Sequence, residues 1–135
     1  MRTCLISTDN DPMKRLRFLL PLLSLALCPP AQSGSVQIQS CYDGDTCRTT
    51  TGERIKLACI DTPERGEYGA SGATTAIRNM VVGRTVGIRR LTTDRYGRTV
   101  AELYAGNTNV GQQLVKEGFA RVYHRYAYQC PWTSK

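Results

Sequence analysis

Asp43-Gly44-Asp45-Thr46 is a turn signal between two short strand-like runs, and Asp61-Thr62-Pro63-Glu64 closes the apolar run that ends at Ile60. Carboxylates at a turn and at a strand end are hard oxygen donors. Two of them, with a backbone carbonyl and waters, suit Ca²⁺. Glu64 lies two residues past the Thr-Pro step, beside such an ion rather than on it. The strand leading to Asp61 carries Arg54 and Lys56, so acids and cations converge in one region. Breaking a phosphodiester in line requires that arrangement: charge on the equatorial oxygens must be neutralised while a water is oriented for attack.

A third motif, Asp94-Arg95-Tyr96-Gly97-Arg98, follows downstream. Each motif alone is commonplace, but the three in this order and spacing, over most of residues 35–126, resemble the staphylococcal-nuclease-like (thermonuclease) family. The resemblance implies an OB-type barrel that cleaves DNA and RNA with calcium. On the matching positions it implies Asp45, Asp61 and the main-chain carbonyl of Thr62 as metal ligands, with Asp43 tuning the site. Glu64 matches the glutamate that activates or positions water, and Arg98 one of two phosphate-clamping arginines. Tyr126 matches an aromatic near the nucleotide base, and Tyr96 and Arg54 complete the candidate substrate-binding set. His124 has no catalytic role in this reading.

The chain departs from the family in two places. Lys56 stands where the first clamping arginine is expected, keeping the charge but losing the planar fork; Arg54, on the same strand face, is the candidate substitute. The chain also ends at Cys130-Pro131-Trp132-Thr133-Ser134-Lys135, where the family continues into a final helix, so that helix is expected to be missing and the core to rely on disulfides. These departures define a competing reading, a catalytically weak module of the same fold that binds nucleic acid or a protein.

The elements that must position these residues read as β first. Val36, Ile38 and Tyr42 alternate in one strand, Thr46 to Thr50 form a second, and Thr51-Gly52 turns the chain into a third from Arg54 to Ile60. A glycine-rich loop over 65–70 precedes a helix capped by Ser71, with Ala73, Ile77, Met80 and Val81 at helical spacing up to Gly83. Strands follow at Thr85–Leu91, with Arg89 and Arg90 read as solvated, and at Thr99–Tyr104. Asn109 caps a second helix with Val110, Leu114 and Val115 buried, and Phe119 to Tyr123 is extended. Five strands with a helix after the third give an α+β, five-stranded OB-type barrel with two packed helices.

Lys14-Arg15-Leu16-Arg17 before the uncharged run 18–27, then Pro29-Pro30 and Ala31-Gln32-Ser33, has the form of a secretory signal cleaved after Ser33, with Met13 an alternative start. A lipoprotein reading uses Cys28, but the bulky Leu27 before it disfavours that. The segment 34–135 carries 14 Lys and Arg against 9 Asp and Glu, a basic excess that favours anionic partners. Cys41, Cys47, Cys59 and Cys130 allow three pairings in an oxidising compartment, or a free buried thiol at Cys59 on the face of Ile55 and Leu57. Together these features describe a secreted or periplasmic, monomeric, calcium-dependent nuclease of low sequence specificity. Its expected substrate is single-stranded or frayed DNA or RNA, with no stable membrane association after signal cleavage.

Overall fold

A computed structural model describes residues 33–134; the expected signal segment up to Gln32, with Met13 and Cys28, lies outside them. In chain order the elements are β1 (Ser33–Cys41), β2 (Thr46–Thr49), β3 (Arg54–Leu57), β4 (Ile60–Asp61), α1 (Ala70–Val81), β5 (Thr85–Thr93), β6 (Thr99–Ala105), β7 (Thr108–Asn109), α2 (Val110–Lys116) and β8 (Arg121–Val122). Short 3-10 turns at His124–Gln129 and Pro131–Ser134 follow. The large sheet runs β3-β2-β1-β5-β6-β7, and a parallel pairing of β3 with β6 closes its first five strands into a mixed barrel, with the short β7 paired to the far end of β6. Closure removes both edges, and Ile38, Ile55, Leu57, Val86, Ile88 and Leu103 fill the interior.

Three irregularities set how the barrel meets its surroundings. The pairing of β1 with β2 shifts register between Ile38 and Ser40, and this bulge turns Cys41 inward and leaves Tyr42 exposed. Simple alternation from Ile38 had expected Tyr42 on the inner face. The expected strand Arg54–Ile60 is interrupted by a turn at Ala58-Cys59, where Cys59 adopts φ 66°, and β4 then pairs with β8. Cys59 therefore leaves the face of Ile55 and Leu57 and joins a second cluster with Ala58 and Cys130. At α1, Gly69 rather than Ser71 is the N-cap, with φ 88° and no side-chain cap; glycine adopts that conformation without the Cβ penalty, so the helix starts at Ala70.

Helix α1 buries Ala73, Ile77 and Val81, spaced by four, against the barrel. Asn109 caps α2 as expected, its Oδ1 accepting from the Gln112 N–H at 3.1 Å, and Val110 and Leu114 are buried. Of the expected extended segment 119–123 only Arg121–Val122 is strand.

The chain's last described turns are fastened over the outer face of β6. Ala101 and Leu103 point inward, so Glu102 faces outward, yet it is only 3% exposed because these turns cover it. Its carboxylate accepts from Arg89, Tyr104 Oη, Asn109 Nδ2 and Trp132 Nε1, while Arg89 also donates to the Gln129 carbonyl. Burial opposes ionisation of Glu102, but Arg89 and the neutral donors outweigh it and hold the carboxyl below its ordinary value. A depressed carboxyl stabilises the fold above its unfolded pKa and loses that contribution as pH falls through the folded value. Arg90 likewise pairs with Glu53. Solvation is thus corrected for Arg89, which meets its cross-strand partner Glu102, whereas Arg90 stays exposed while it pairs with Glu53.

The disulfides are Cys41–Cys47 and Cys59–Cys130, so the free-thiol alternative for Cys59 is overturned. They close loops of very different length, 6 and 71 residues apart. On chain-entropy grounds the first stabilises by about 2 kcal/mol and the second by about 4 kcal/mol. Replacing Cys59 and Cys130 together by alanine is therefore expected to lower the urea midpoint more than replacing Cys41 and Cys47, and equal midpoints would show that the long loop is already constrained in the unfolded chain.

Candidate active site

The bulge, the disulfide and α1 together fix the turn between β1 and β2. The Cys41–Cys47 bridge joins directly opposed residues across its base, with Cα atoms 3.9 Å apart. Arg78 of α1 donates through Nε and Nη2 to the Cys41 carbonyl at 3.0 and 2.9 Å. Within the turn, the Asp45 N–H donates to Asp43 Oδ1 at 3.1 Å, and the Asp45 carbonyl accepts from the Leu57 N–H at 2.8 Å. Gly44 is required here by contact: a Cβ would fall 2.7 Å from that of Ala73 and 3.0 Å from Cβ and Oγ1 of Thr62. The turn bearing Asp43 and Asp45 thus lies directly against Thr62 and α1.

Its electrostatics are dominated by one pair. Asp45 is 6% exposed, and its Oδ2 accepts from Lys56 Nζ while Oδ1 accepts from Thr46 Oγ1 at 3.2 Å. Burial works against the charged form of Asp45, but Lys56 prevails and the carboxyl sits below its usual range. Asp43 is displaced the other way, raised first by burial and then by the neighbouring Asp45 carboxylate.

Asp61 is exposed in β4 opposite Arg121, Thr62 is buried, and Glu64 is exposed on the loop beyond, with its N–H donating to Glu67 Oε2 at 2.8 Å. Parallel register Ile55↔Thr99 and Lys56↔Val100 sets Arg98 beside Arg54 and on the sheet face of Lys56. Arg54 donates to the Tyr96 carbonyl, and the Arg98 guanidinium lies over the Tyr96 ring with Nε donating to Asp94 Oδ2 at 2.7 Å. Tyr126 is exposed, 5.6 Å from the Tyr123 ring, and its carbonyl lies 3.4 Å from Cys59 Sγ.

The structure therefore brings Asp43, Asp45 and Lys56 into direct contact, packs Thr62 against their turn, and gathers Arg54, Tyr96 and Arg98 separately along the β3–β6 seam. Glu64 is not bonded to either group. Asp94, which orients Arg98, was missed as a site residue; its spacing of four from Arg98 across a glycine turn was the available signal.

A closed five-stranded barrel with an acidic turn and a cationic seam defines a nuclease-type OB fold, and comparison with known proteins agrees. The family described as staphylococcal nuclease homologue matches residues 54–133, and the chain belongs to it. An Escherichia coli protein named "uncharacterized endonuclease" is 31% identical over 117 residues, covering 82% of this chain and 76% of its own. A Haemophilus influenzae protein of the same name is 31% identical over 114 residues, covering 82% and 64%. A micrococcal nuclease of Shigella flexneri is 33% identical over 96 residues, covering 62% and 55%.

The family implies a metal-dependent nuclease. Among the described residues no three His, Cys, Asp or Glu side chains form a ready cage. The donors nevertheless fit a hard cation in type, since Asp43, raised first by burial and then by Asp45, is a carboxylate oxygen donor whose ionised form a divalent charge would favour. Lys56 pairs with Asp45 in this structure, so any cation held at Asp45 would compete with it for the carboxylate.

Removing that lysine tests the electrostatic account. In Lys56→Met, Asp45 keeps its burial and its acidic neighbour but loses its cation, so its carboxyl pKa rises. The stability that ionised Asp45 contributes above its unfolded pKa, lost as pH falls through the folded value, shrinks accordingly. Carboxyl-carbon NMR titration of metal-free protein reads the shift directly, and an unmoved Asp45 would show that another group holds it ionised.

Proposed function

We propose that this protein hydrolyses phosphodiester bonds of DNA or RNA with low sequence specificity, using Ca²⁺ held by Asp45, Asp61 and the carbonyl of Thr62. By family the protein is an endonuclease. The observation that carries the finer reading is the close packing of the Asp43–Asp45 turn on Thr62, supporting one site made from two motifs sixteen residues apart. When bound, the ion supplies Lewis-acid charge at the phosphate oxygens.

The remaining work falls to side chains. Glu64, open to solvent on its loop, takes a proton from the attacking water; as the water oxygen bonds to phosphorus the opposite P–O ester bond breaks, and the leaving oxygen takes a proton from solvent. Arg98 donates to the phosphate, held in a defined rotamer by Asp94 and Tyr96. Lys56, once displaced from Asp45, offers a second positive charge, and Arg54 a third on the same face. Tyr96 and Tyr126 offer ring faces to unstacked bases, which favours single-stranded or frayed substrate.

Two disulfides support a secreted or periplasmic location with the leader at 1–33 removed, and no helix among the described residues is long and apolar enough to cross a membrane. The protein acts as a monomer in this reading. One observation favours the weak-binder alternative: Lys56 and Arg98 both already hold carboxylates, so substrate must compete for them.

Cleavage of a fluorescent single-stranded DNA by the purified oxidised protein, with calcium and then with chelator, separates the two. We expect calcium-dependent cleavage that falls at least about 10²-fold in Glu64→Gln and is abolished in Asp45→Asn and Asp61→Asn. Cleavage indifferent to chelator and to all three substitutions would reject the assignment.

A further inference from the structure

Beside the acidic turn lies a polar cleft of about 270 Å³, lined by Tyr42, Arg65, Gly66, Ser71, Thr74 and Arg78 among others. None of its lining residues is acidic. Tyr42 immediately precedes Asp43, and Arg65 immediately follows Glu64, so both arms of the proposed catalytic site run straight into the cleft walls. The family reading gives neither residue a role.

Tyr42 is the residue that the β1 bulge turns outward, and it remains 62% exposed although the Arg65 guanidinium lies 4.4 Å from its ring centre. An aromatic side chain of this size is left in water at a cost, and its exposure is forced by Cys41 taking the inner position. Arg78 is immobilised by its two bonds to the Cys41 carbonyl, a neutral acceptor that leaves its charge uncompensated. Glu67, on the same loop as Arg65, is turned back to the Glu64 N–H. The cleft thus pairs a π surface with two cations and hydroxyl donors, the combination that holds one base and its phosphate. Its volume suits a single nucleotide unit rather than a folded partner.

We propose that Tyr42, Arg65 and Arg78 form a nucleotide subsite that holds single-stranded nucleic acid next to the scissile phosphate, apart from the Tyr96 and Tyr126 surfaces. This rests on the reading of the neighbouring acids as a nuclease centre. In the subsite Tyr42 stacks on a base and Arg65 swings from the ring to the adjoining phosphate. A strand held on two sides of the reacting bond keeps that bond in line for attack.

The test uses the full oxidised protein, a ten-nucleotide single-stranded DNA and a strand of the same length built from abasic nucleotides, which offers phosphates but no base to the cleft. Tyr42→Ala is expected to raise KM for the base-bearing strand about tenfold relative to the abasic one, as loss of one stacked base implies. Arg65→Ala should flatten the dependence of log affinity on log salt by about 0.7, and Arg65→Lys should restore that slope. Arg84→Ala, an exposed cation remote in sequence from both motifs, controls for bulk charge. Unchanged KM ratio and salt slope, or an equal loss in Arg84→Ala, would overturn the subsite. If the wild type cleaves neither substrate the nuclease reading fails, and the salt slope from fluorescence anisotropy still decides whether the cleft binds a strand.

Discussion

Parallel pairing of β3 with β6 is the constraint on which the rest depends. Four of the five seams of the barrel are antiparallel, and this remaining one brings together segments some forty residues apart in the chain. It does more than seal the core. The register it imposes puts Arg54, Lys56 and Arg98 along one face, while on the other side of β3 the Leu57 N–H donates to the Asp45 carbonyl. A barrel that failed to close here would still have its acids and its arginines, but on separate surfaces.

Around that seam, cations are consistently matched to carboxylates: Lys56 to Asp45, Arg89 to Glu102, Arg90 to Glu53 and Arg98 to Asp94. The pairs differ in what they can do. Arg89 and Glu102 are locked by further donors and serve to fasten the end of the chain. Lys56 and Asp45 hold each other beside a second acid, an arrangement whose charge balance shifts readily when a cation or an anion arrives.

Much of this was legible in the sequence. Alternation and helical spacing gave the barrel strands and both helices, because those patterns report which side of an element meets the core. The acids of the two turns were legible as residue types at the right spacing. What periodicity could not express were events set by distant parts of the chain. The turn at Cys59 depends on a bridge to Cys130 and on the Tyr123 N–H reaching the Cys59 carbonyl, both from the far end. The outward swing of Tyr42 depends on one extra residue in a ladder, which no composition rule locates. Burial of Glu102 required knowing that Trp132 returns to cover β6, and the contact of Lys56 with Asp45 required the register of the β2–β3 hairpin.

Cys41 and Cys47 face each other across a ladder in which a slip of one residue would send their side chains to opposite sides of the sheet. Once formed, their bond is therefore compatible with the native alignment and not with a one-residue slip of it. The chain thus records, covalently and within six residues, the alignment that aims Asp45 at β3.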